Sequence, residues 1–322
     1  MIEDPRLPPP ASADDEEAET EAPRRGTAVR FFLLPLLVVA TAAAIFFVFN
    51  LMTFERRSPA DYLQEVRGGT ANRRWQAAFE LSRAVARIPA GPERQALAAD
   101  TLRVFEGLST RRPEDVLVRR YLVLVLGKLE EPAALPALRA AAKDSDSETR
   151  LYAIWALGRI GDRGALPVVL DSSLSDDAGA RKMAAYVLGR IGDPRAIPRL
   201  QVLLEDPVAD VRWNAAIALA TLGDRSGLST LRSIVDRQSL ARQANLTAEQ
   251  AEIAIVNALK ALAALRDPDS LPLLERVARE DPNLQVRQAA RDAIEATRRS
   301  APPGNAVSPT ANLERSDSLL VG

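Results

Sequence analysis

Apolar and polar positions recur together every 31 residues through the middle of this chain. The clearest repeats are the segments at 156–162, 187–193 and 218–224, in which a largely apolar stretch ends in Gly-Asp. Around them, apolar residues follow the spacing of one helical face rather than the alternation of a strand. A period of about 20 to 50 residues is typical of arrays whose units bury their apolar faces only against neighbouring units. The pattern predicts an all-α fold, a right-handed α-solenoid of about seven helical hairpins.

Each predicted hairpin pairs a first helix with a second helix that carries the repeated motif. The predicted bounds are 60–67 with 71–88, 93–108 with 114–129, 133–142 with 147–160, 165–174 with 178–191, 196–204 with 209–222, 227–236 with 248–265, and 270–279 with 284–298. Extra residues between Asp236 and Thr247 interrupt the period. We therefore expect the array to be irregular around the sixth hairpin.

The Gly-Asp pairs mark the places where one helix ends and the next begins. Glycine readily takes the left-handed conformation that closes a helix, and aspartate accepts hydrogen bonds from the amides that open one. We interpret six residues as structural corners: Gly161, Asp162, Gly192, Asp193, Gly223 and Asp224. A second set of glycines, Gly127, Gly158 and Gly189, lies inside the second helices, where Gly is less favourable than Ala by about 1 kcal/mol. Their recurrence predicts close contact between neighbouring helices.

The consensus V-R-x-x-A-A-x-A-L-G-x-I-G-D-P-x-A-I-P-x-L resembles HEAT-like repeats of the short type known from phycobilisome lyases. The resemblance covers 113–298 well and 59–112 only loosely, so we treat the latter as divergent N-terminal repeats. The sequence departs from the repeat consensus at Arg266, where Gly is expected, and at Ile255, where Arg is expected. It implies a helical array and says little about activity, because one repeat fold serves many roles.

An arginine opens most of the predicted second helices. These residues, which we call the Arg ladder, are Arg119, Arg150, Arg181, Arg212 and Arg287. One interpretation is that they bind phosphates or an acidic peptide. The other is that each guanidinium bridges carboxylates or carbonyls between stacked units. We favour the second, because the rigid fork of Arg suits pairing between elements.

Aromatic residues and their basic neighbours fall in a few columns of the repeat. The candidate partner-binding residues are Trp75, Phe79, Tyr121, Tyr152, Trp155, Arg159, Lys182, Tyr186, Arg190 and Trp213. Aromatic side chains with a basic fringe on a regular scaffold are typical of binding hot spots. The alternative is that these aromatics pack between helices as core, and the sequence leaves both interpretations open.

The N-terminal part and the C-terminal end differ in composition from the array. Residues 1–27 are acidic and Pro-rich, and 299–322 return to loop composition, so both predict disordered tails. Residues 31–54 carry no charge and predict one transmembrane helix within 28–56. A cleaved signal peptide, with small residues at 40–42, is the alternative.

This span would make the chain a single-pass protein of a bacterial cell membrane. Five arginines follow the span within 20 positions and three precede it, so the positive-inside rule favours a cytoplasmic array. An uncleaved anchor would just as naturally translocate the array to the periplasm. The sequence leaves the side of the membrane open.

The composition of the chain restricts the classes of function that it can have. The chain has no His and no Cys, which removes the usual general base, imidazole metal ligands and thiolates. We therefore predict no catalytic residues, no cofactor and no metal site, and we expect a membrane-anchored interaction scaffold for an unidentified protein partner. One alternative is a bilin-lyase-like or other cofactor-handling enzyme, which the family resemblance implies. The other is a nucleic-acid-binding helical-repeat protein. The near balance of charge in 55–322, with 38 basic against 35 acidic residues, and the predicted membrane anchor argue against it.

Overall fold

The computed structural model describes residues 34–53, 57–243 and 246–299. These residues form sixteen α-helices, and none of them lies in a strand. The chain divides into two units, residues 1–56 and residues 57–322. The predicted disordered tails, apart from residue 299, lie outside the described residues.

The first unit contains one described helix, α1 (Leu34–Thr53). Its described side chains, residues 36–48, are exposed. Among 34–53, 57–243 and 246–299, no helix is long and apolar enough to cross a bilayer. The structure therefore does not support the transmembrane helix predicted within 28–56.

The second unit is a succession of helical hairpins. Its helices are α2 (Pro59–Gly68), α3 (Ala71–Ala84), α4 (Pro92–Glu106), α5 (Pro113–Leu129), α6 (Leu135–Ala141), α7 (Ser147–Ile160), α8 (Leu166–Ser172), α9 (Ala178–Ile191), α10 (Ile197–Leu203), α11 (Ala209–Thr221), α12 (Leu228–Val235), α13 (Arg237–Gln243), α14 (Ala248–Leu265), α15 (Leu271–Glu280) and α16 (Leu284–Arg298). Short 3-10 turns precede α6, α8, α10 and α15.

The second helices of the hairpins form one continuous stack. In order, α3, α5, α7, α9, α11, α14 and α16 each pack on the next, and the first helix of each hairpin packs on its own partner. This arrangement confirms the predicted all-helical repeat solenoid, whereas its handedness stays a prediction. The inserted segment adds a helix that the period did not predict, α13, which packs against α12.

Five second helices of the described array end with a left-handed residue at or just after the last turn. Gly161, Gly192 and Gly223 take this conformation with φ of 71°, 68° and 77°. Glu130 and Arg266 take it as well, with φ of 56° and 46°. A non-glycine residue in this conformation is less stable by about 1–2 kcal/mol, so the stack enforces the same helix end even where the sequence lacks Gly.

The corner aspartates differ in what they bind. The Asp193 carboxylate accepts a hydrogen bond from the Arg195 N–H at 2.9 Å, and Asp224 accepts one from the Ser226 N–H at 2.9 Å. Asp162 departs from this expectation, because its side chain caps no backbone amide. Its carboxylate instead accepts a hydrogen bond from Arg139 Nη2 of the preceding unit at 2.7 Å. The prediction of a capping role for Asp162 is therefore wrong.

The interior glycines lie where neighbouring second helices approach most closely. A Cβ on Gly189 would lie 2.8 Å from Ala218 Cβ, and one on Gly158 would lie 2.7 Å from a methyl group of Val187. Real Cβ atoms essentially never come this close. The predicted close contact is confirmed, and it explains why Gly is tolerated inside these helices.

Replacing Gly189 by Ala tests this contact. Alanine favours a helix interior by about 1 kcal/mol over Gly, but its Cβ would force α9 and α11 apart, and overpacking typically destabilises by about 1–3 kcal/mol. We expect the free energy of unfolding, measured by urea denaturation, to fall by about 1 kcal/mol or more.

The matched control is Gly68→Ala in α2, where a Cβ would meet nothing within 4 Å. This substitution should leave the free energy of unfolding unchanged or raise it. If Gly189→Ala were as stable as Gly68→Ala, close packing at this position would not be the reason for the glycine.

Candidate functional site

Three aspartates at the ends of first helices connect neighbouring units. The Asp144 carboxylate accepts a hydrogen bond from Arg119 Nη2 of the preceding unit at 2.7 Å, and Asp206 accepts one from Arg181 Nε at 2.7 Å. The Asp281 carboxylate accepts a hydrogen bond from Arg237 Nε in the same way. All three are nearly completely buried. We call Asp144, Asp206 and Asp281 the linking aspartates.

The backbone carbonyls of the linking aspartates are bound as well. Each accepts a hydrogen bond from the ladder arginine of its own unit: Arg150 Nη1 to Asp144 O at 2.8 Å, Arg212 Nη1 to Asp206 O at 2.8 Å, and Arg287 Nη1 to Asp281 O at 2.7 Å. One aspartate is thus held by two arginines from consecutive units. The Arg ladder acts within the array at these positions.

The sixth unit keeps this linkage although it lacks the ladder arginine. Ile255 occupies the ladder position and is buried. Arg237, on the inserted helix α13, binds both carboxylate oxygens of Asp281, with Nε–Oδ2 at 2.7 Å and Nη2–Oδ1 at 2.8 Å. Arg237 lies outside the 31-residue register, so the period of the sequence does not predict its role.

The linkage keeps Asp206 and Asp281 ionised. The hydrogen bond from Arg181 lowers the pKa of Asp206 below its usual value of 3.8. Burial raises the pKa of Asp281, but the hydrogen bonds from Arg237 and from the Asn283 N–H outweigh it, so this pKa is lowered too. Both carboxylates are therefore charged at neutral pH and stabilise the contact between units.

The candidate partner-binding residues do not form one uniform surface. Trp155 and Trp213 are only 4% and 6% exposed, so both indole rings belong to the core. Phe79 is 37% exposed. Trp75, Tyr121, Tyr152 and Tyr186 are partly buried. Residues that share a column of the sequence repeat therefore differ in burial.

Three of the more accessible rings lie on consecutive second helices. Phe79 on α3 meets Tyr121 on α5 edge to face, with ring centroids 5.3 Å apart and an interplanar angle of 70°. Tyr152 on α7 comes next, and burial, Glu148 and Tyr121 raise its pKa. We call Phe79, Tyr121 and Tyr152 the aromatic patch.

Two arginines border the aromatic patch. The Arg83 guanidinium lies 5.7 Å from the Phe79 ring centre. Arg120, beside Tyr121 in sequence, binds the Asp146 carboxylate through Nη2 at 2.9 Å. Such cation–aromatic and charge-assisted contacts hold long side chains in place, which lowers the entropy lost when a partner binds.

The predicted basic residues have different surroundings. Arg159 pairs with Glu130 and lies 5.9 Å from the Trp155 ring centre. Lys182 Nζ is 3.8 Å from Asp210 Oδ2, at the limit of an ion pair. Arg190 is half-buried and pairs with no carboxylate within the described ranges 34–53, 57–243 and 246–299.

A cavity of about 240 Å³ opens between α9, α11 and α14. Lys182, Tyr186 and Arg190 line it from α9, and Trp213 and Ile217 line it from α11. The third side comes from α14, with Gln250, Ile253, Ala254 and Asn257. The insertion moves these α14 residues out of the 31-residue register, so the period of the sequence does not predict their place in the cavity.

In the part of the chain that the structure describes, no group of three or more Asp or Glu residues is placed to hold a metal ion.

Two models of repeat families match parts of the array. HEAT repeats match residues 106–185 and 173–249, and the PBS lyase HEAT-like repeat matches residues 255–280. The chain contains HEAT-like repeats. No curated protein sequence matches it.

Solved structures resemble the HEAT-like array at low sequence identity. The complex of CpcE and CpcF of phycocyanin lyase from Nostoc sp. PCC7120 is 18% identical, with 75% of this chain and 95% of that chain covered and a TM-score of 0.51. The protein YIBA of E. coli is 16% identical, with 75% and 82% covered and a TM-score of 0.49. A designed armadillo repeat protein is 18% identical, with 75% and 100% covered and a TM-score of 0.40. At such identities the likeness concerns the fold alone.

Replacing Asp206 by Asn tests the linkage between units. Asparagine keeps an acceptor for the Val208 N–H, which Asp206 now binds at 2.9 Å, but loses the charge that holds Arg181. We expect the free energy of unfolding at neutral pH to fall by roughly 1.5–3 kcal/mol, the range for hydrogen bonds to charged groups. Asp171→Asn, at an exposed position of α8, should cause no comparable loss.

The difference between wild type and Asp206→Asn should depend on pH. Because the folded pKa of Asp206 is lowered, its contribution is complete above the unfolded value near 3.8 and disappears as the pH falls through the folded value. Urea denaturation at a series of pH values measures this. A difference that stayed constant into acid would show that charge pairing with Arg181 does not stabilise the array.

Proposed function

We propose that this protein is an interaction scaffold whose HEAT-like array presents the aromatic patch to a protein partner. The observation that carries the proposal is the patch itself, with Phe79, Tyr121 and Tyr152 placed on three consecutive second helices. Large aromatic side chains on rigid elements supply contact area at a small entropy loss. The proposal assigns no catalytic role to the array.

The burial of the two core indoles limits the binding surface. Trp155 and Trp213 are already packed, so they support the surface rather than contact a partner. This difference in burial favours the first three units for partner binding, because the accessible rings of Phe79, Tyr121 and Tyr152 all belong to them. The arginines at the edge of the patch are already paired, Arg83 with Glu80 and Arg120 with Asp146, so the patch offers a partner mainly aromatic, apolar surface.

One solved structure of similar fold supports an interaction role for the array. The structure most similar in TM-score among those described above is a complex of two proteins, CpcE with CpcF. A lyase-like role for the present chain, the alternative from the sequence analysis, would require a bound pigment or other cofactor. Localisation in a bacterial cell membrane also stays a proposal from the sequence alone, and protease treatment of intact spheroplasts tests on which side the array lies.

Removal of the aromatic patch tests the scaffold proposal. We expect Phe79→Ala, Tyr121→Ala and Tyr152→Ala together to abolish co-purification of a stoichiometric protein partner after chemical cross-linking in cells, because the patch provides most of the apolar contact. The measurement is quantitative mass spectrometry of the purified protein and its cross-linked partners. The melting temperature is recorded in parallel.

The matched control combines Leu174→Ala and Val202→Ala, which remove apolar side chains that are at least as exposed and lie on the first-helix side. This control should retain the partner. Since the triple variant also truncates two half-buried rings, the single variant Phe79→Glu provides a second test that leaves the core intact. Retention of the partner by both patch variants would contradict the proposal, and recovery of a pigment in place of a protein would favour the lyase-like alternative.

A further inference from the structure

The cavity between α9, α11 and α14 differs from the other contacts in the stack. At earlier levels, Gly127 and Gly158 bring neighbouring second helices together so closely that no added carbon fits. Between the fifth and sixth units the insertion separates the helices in sequence, and α11 forms the floor of a cavity whose walls are α9 and α14. The space is therefore a product of the irregular unit.

The floor of the cavity is apolar. Trp213, Ile217 and Ile253 contribute apolar surface. Trp213 Nε1 is fully buried within the core, so it is closed off from the cavity and from a molecule bound there.

One wall of the cavity is basic. Lys182, Tyr186 and Arg190 follow each other at four-residue intervals, so they share one face of α9. The only carboxylate among the described lining residues is Asp210, and it lies 3.8 Å from Lys182. Arg190 is half-buried and pairs with no carboxylate within the described ranges. The cavity thus combines an apolar floor with an uncompensated positive charge.

We propose that this cavity binds a small organic anion with a planar apolar body about the size of two fused rings. The body packs on Trp213, Ile217 and Ile253, and the anionic group binds Arg190. Charge complementarity carries this choice, because a neutral apolar molecule would leave the half-buried guanidinium without a partner. The site is independent of the aromatic patch, which lies on the first three units.

Isothermal titration of the full chain with two matched probes tests the site. The probes are 2-naphthoate and 2-naphthamide, which have the same ring system and differ in charge. We expect one molecule of 2-naphthoate to bind per chain and 2-naphthamide to bind about tenfold more weakly, the change expected for loss of one charge-assisted hydrogen bond. Failure of 2-naphthoate to bind at millimolar concentration would overturn the proposal. Equal affinities for the two probes would overturn it as well.

Substitutions locate the site. Arg190→Gln should weaken 2-naphthoate about tenfold and leave 2-naphthamide unchanged. The matched control is Arg159→Gln, which changes the equivalent residue one unit earlier, outside the cavity, and should leave both affinities unchanged. Ala254→Phe, which fills the cavity from α14, should abolish binding of both probes.

The folded state of each variant is followed by circular dichroism. Because Arg190→Gln changes a half-buried surface position, it keeps the test valid even if Ala254→Phe unfolds the protein. An equal loss of 2-naphthoate affinity in Arg159→Gln, or full binding by folded Ala254→Phe, would show that the probe binds elsewhere. None of these measurements requires a protein partner, so their outcome is separate from that of the scaffold proposal.

Discussion

Three junctions of the array depend on one interaction, in which a buried aspartate is bound by two arginines from consecutive units. The carboxylate of Asp206 binds Arg181 of the unit before it, and its carbonyl binds Arg212 of its own unit. A buried charge that loses its partner typically destabilises a protein by about 3–5 kcal/mol. A shift of one unit against the next would break these contacts, so the linkage fixes the register of the stack as well as stabilising it.

The irregular sixth unit shows how strongly this linkage constrains the chain. Its second helix carries Ile255 where the others carry arginine, yet Asp281 is bound through both oxygens by Arg237 of the inserted helix. The insertion therefore restores the electrostatic contact while leaving a cavity over α11, between α9 and α14. The same departure from the repeat that required a substitute arginine also created the one mixed apolar and basic cavity described above.

The period predicted the hairpins, the close approach at Gly189 and most helix ends, because these follow from local spacing and backbone preference. It did not predict which aromatic rings are accessible. Tyr152 and Trp155 are three residues apart on one helix, and each second helix has neighbours on several sides, so the spacing cannot separate a half-buried ring from a buried one. It also did not predict Arg237, since a contact made across 44 residues by an inserted segment leaves no periodic signal.

The apolar core itself divides at α11. One buried cluster runs from the first unit to Leu219, and a second begins at Trp213 and continues to α16. The cavity lies where these clusters meet, with Tyr186 packed against the first and Ile217 against the second. In a repeat protein each unit is stabilised by its neighbours, so the junction is where cohesion between units depends least on continuous apolar contact. A molecule bound there contacts both clusters, and its binding energy would add to the cohesion of the stack at that junction.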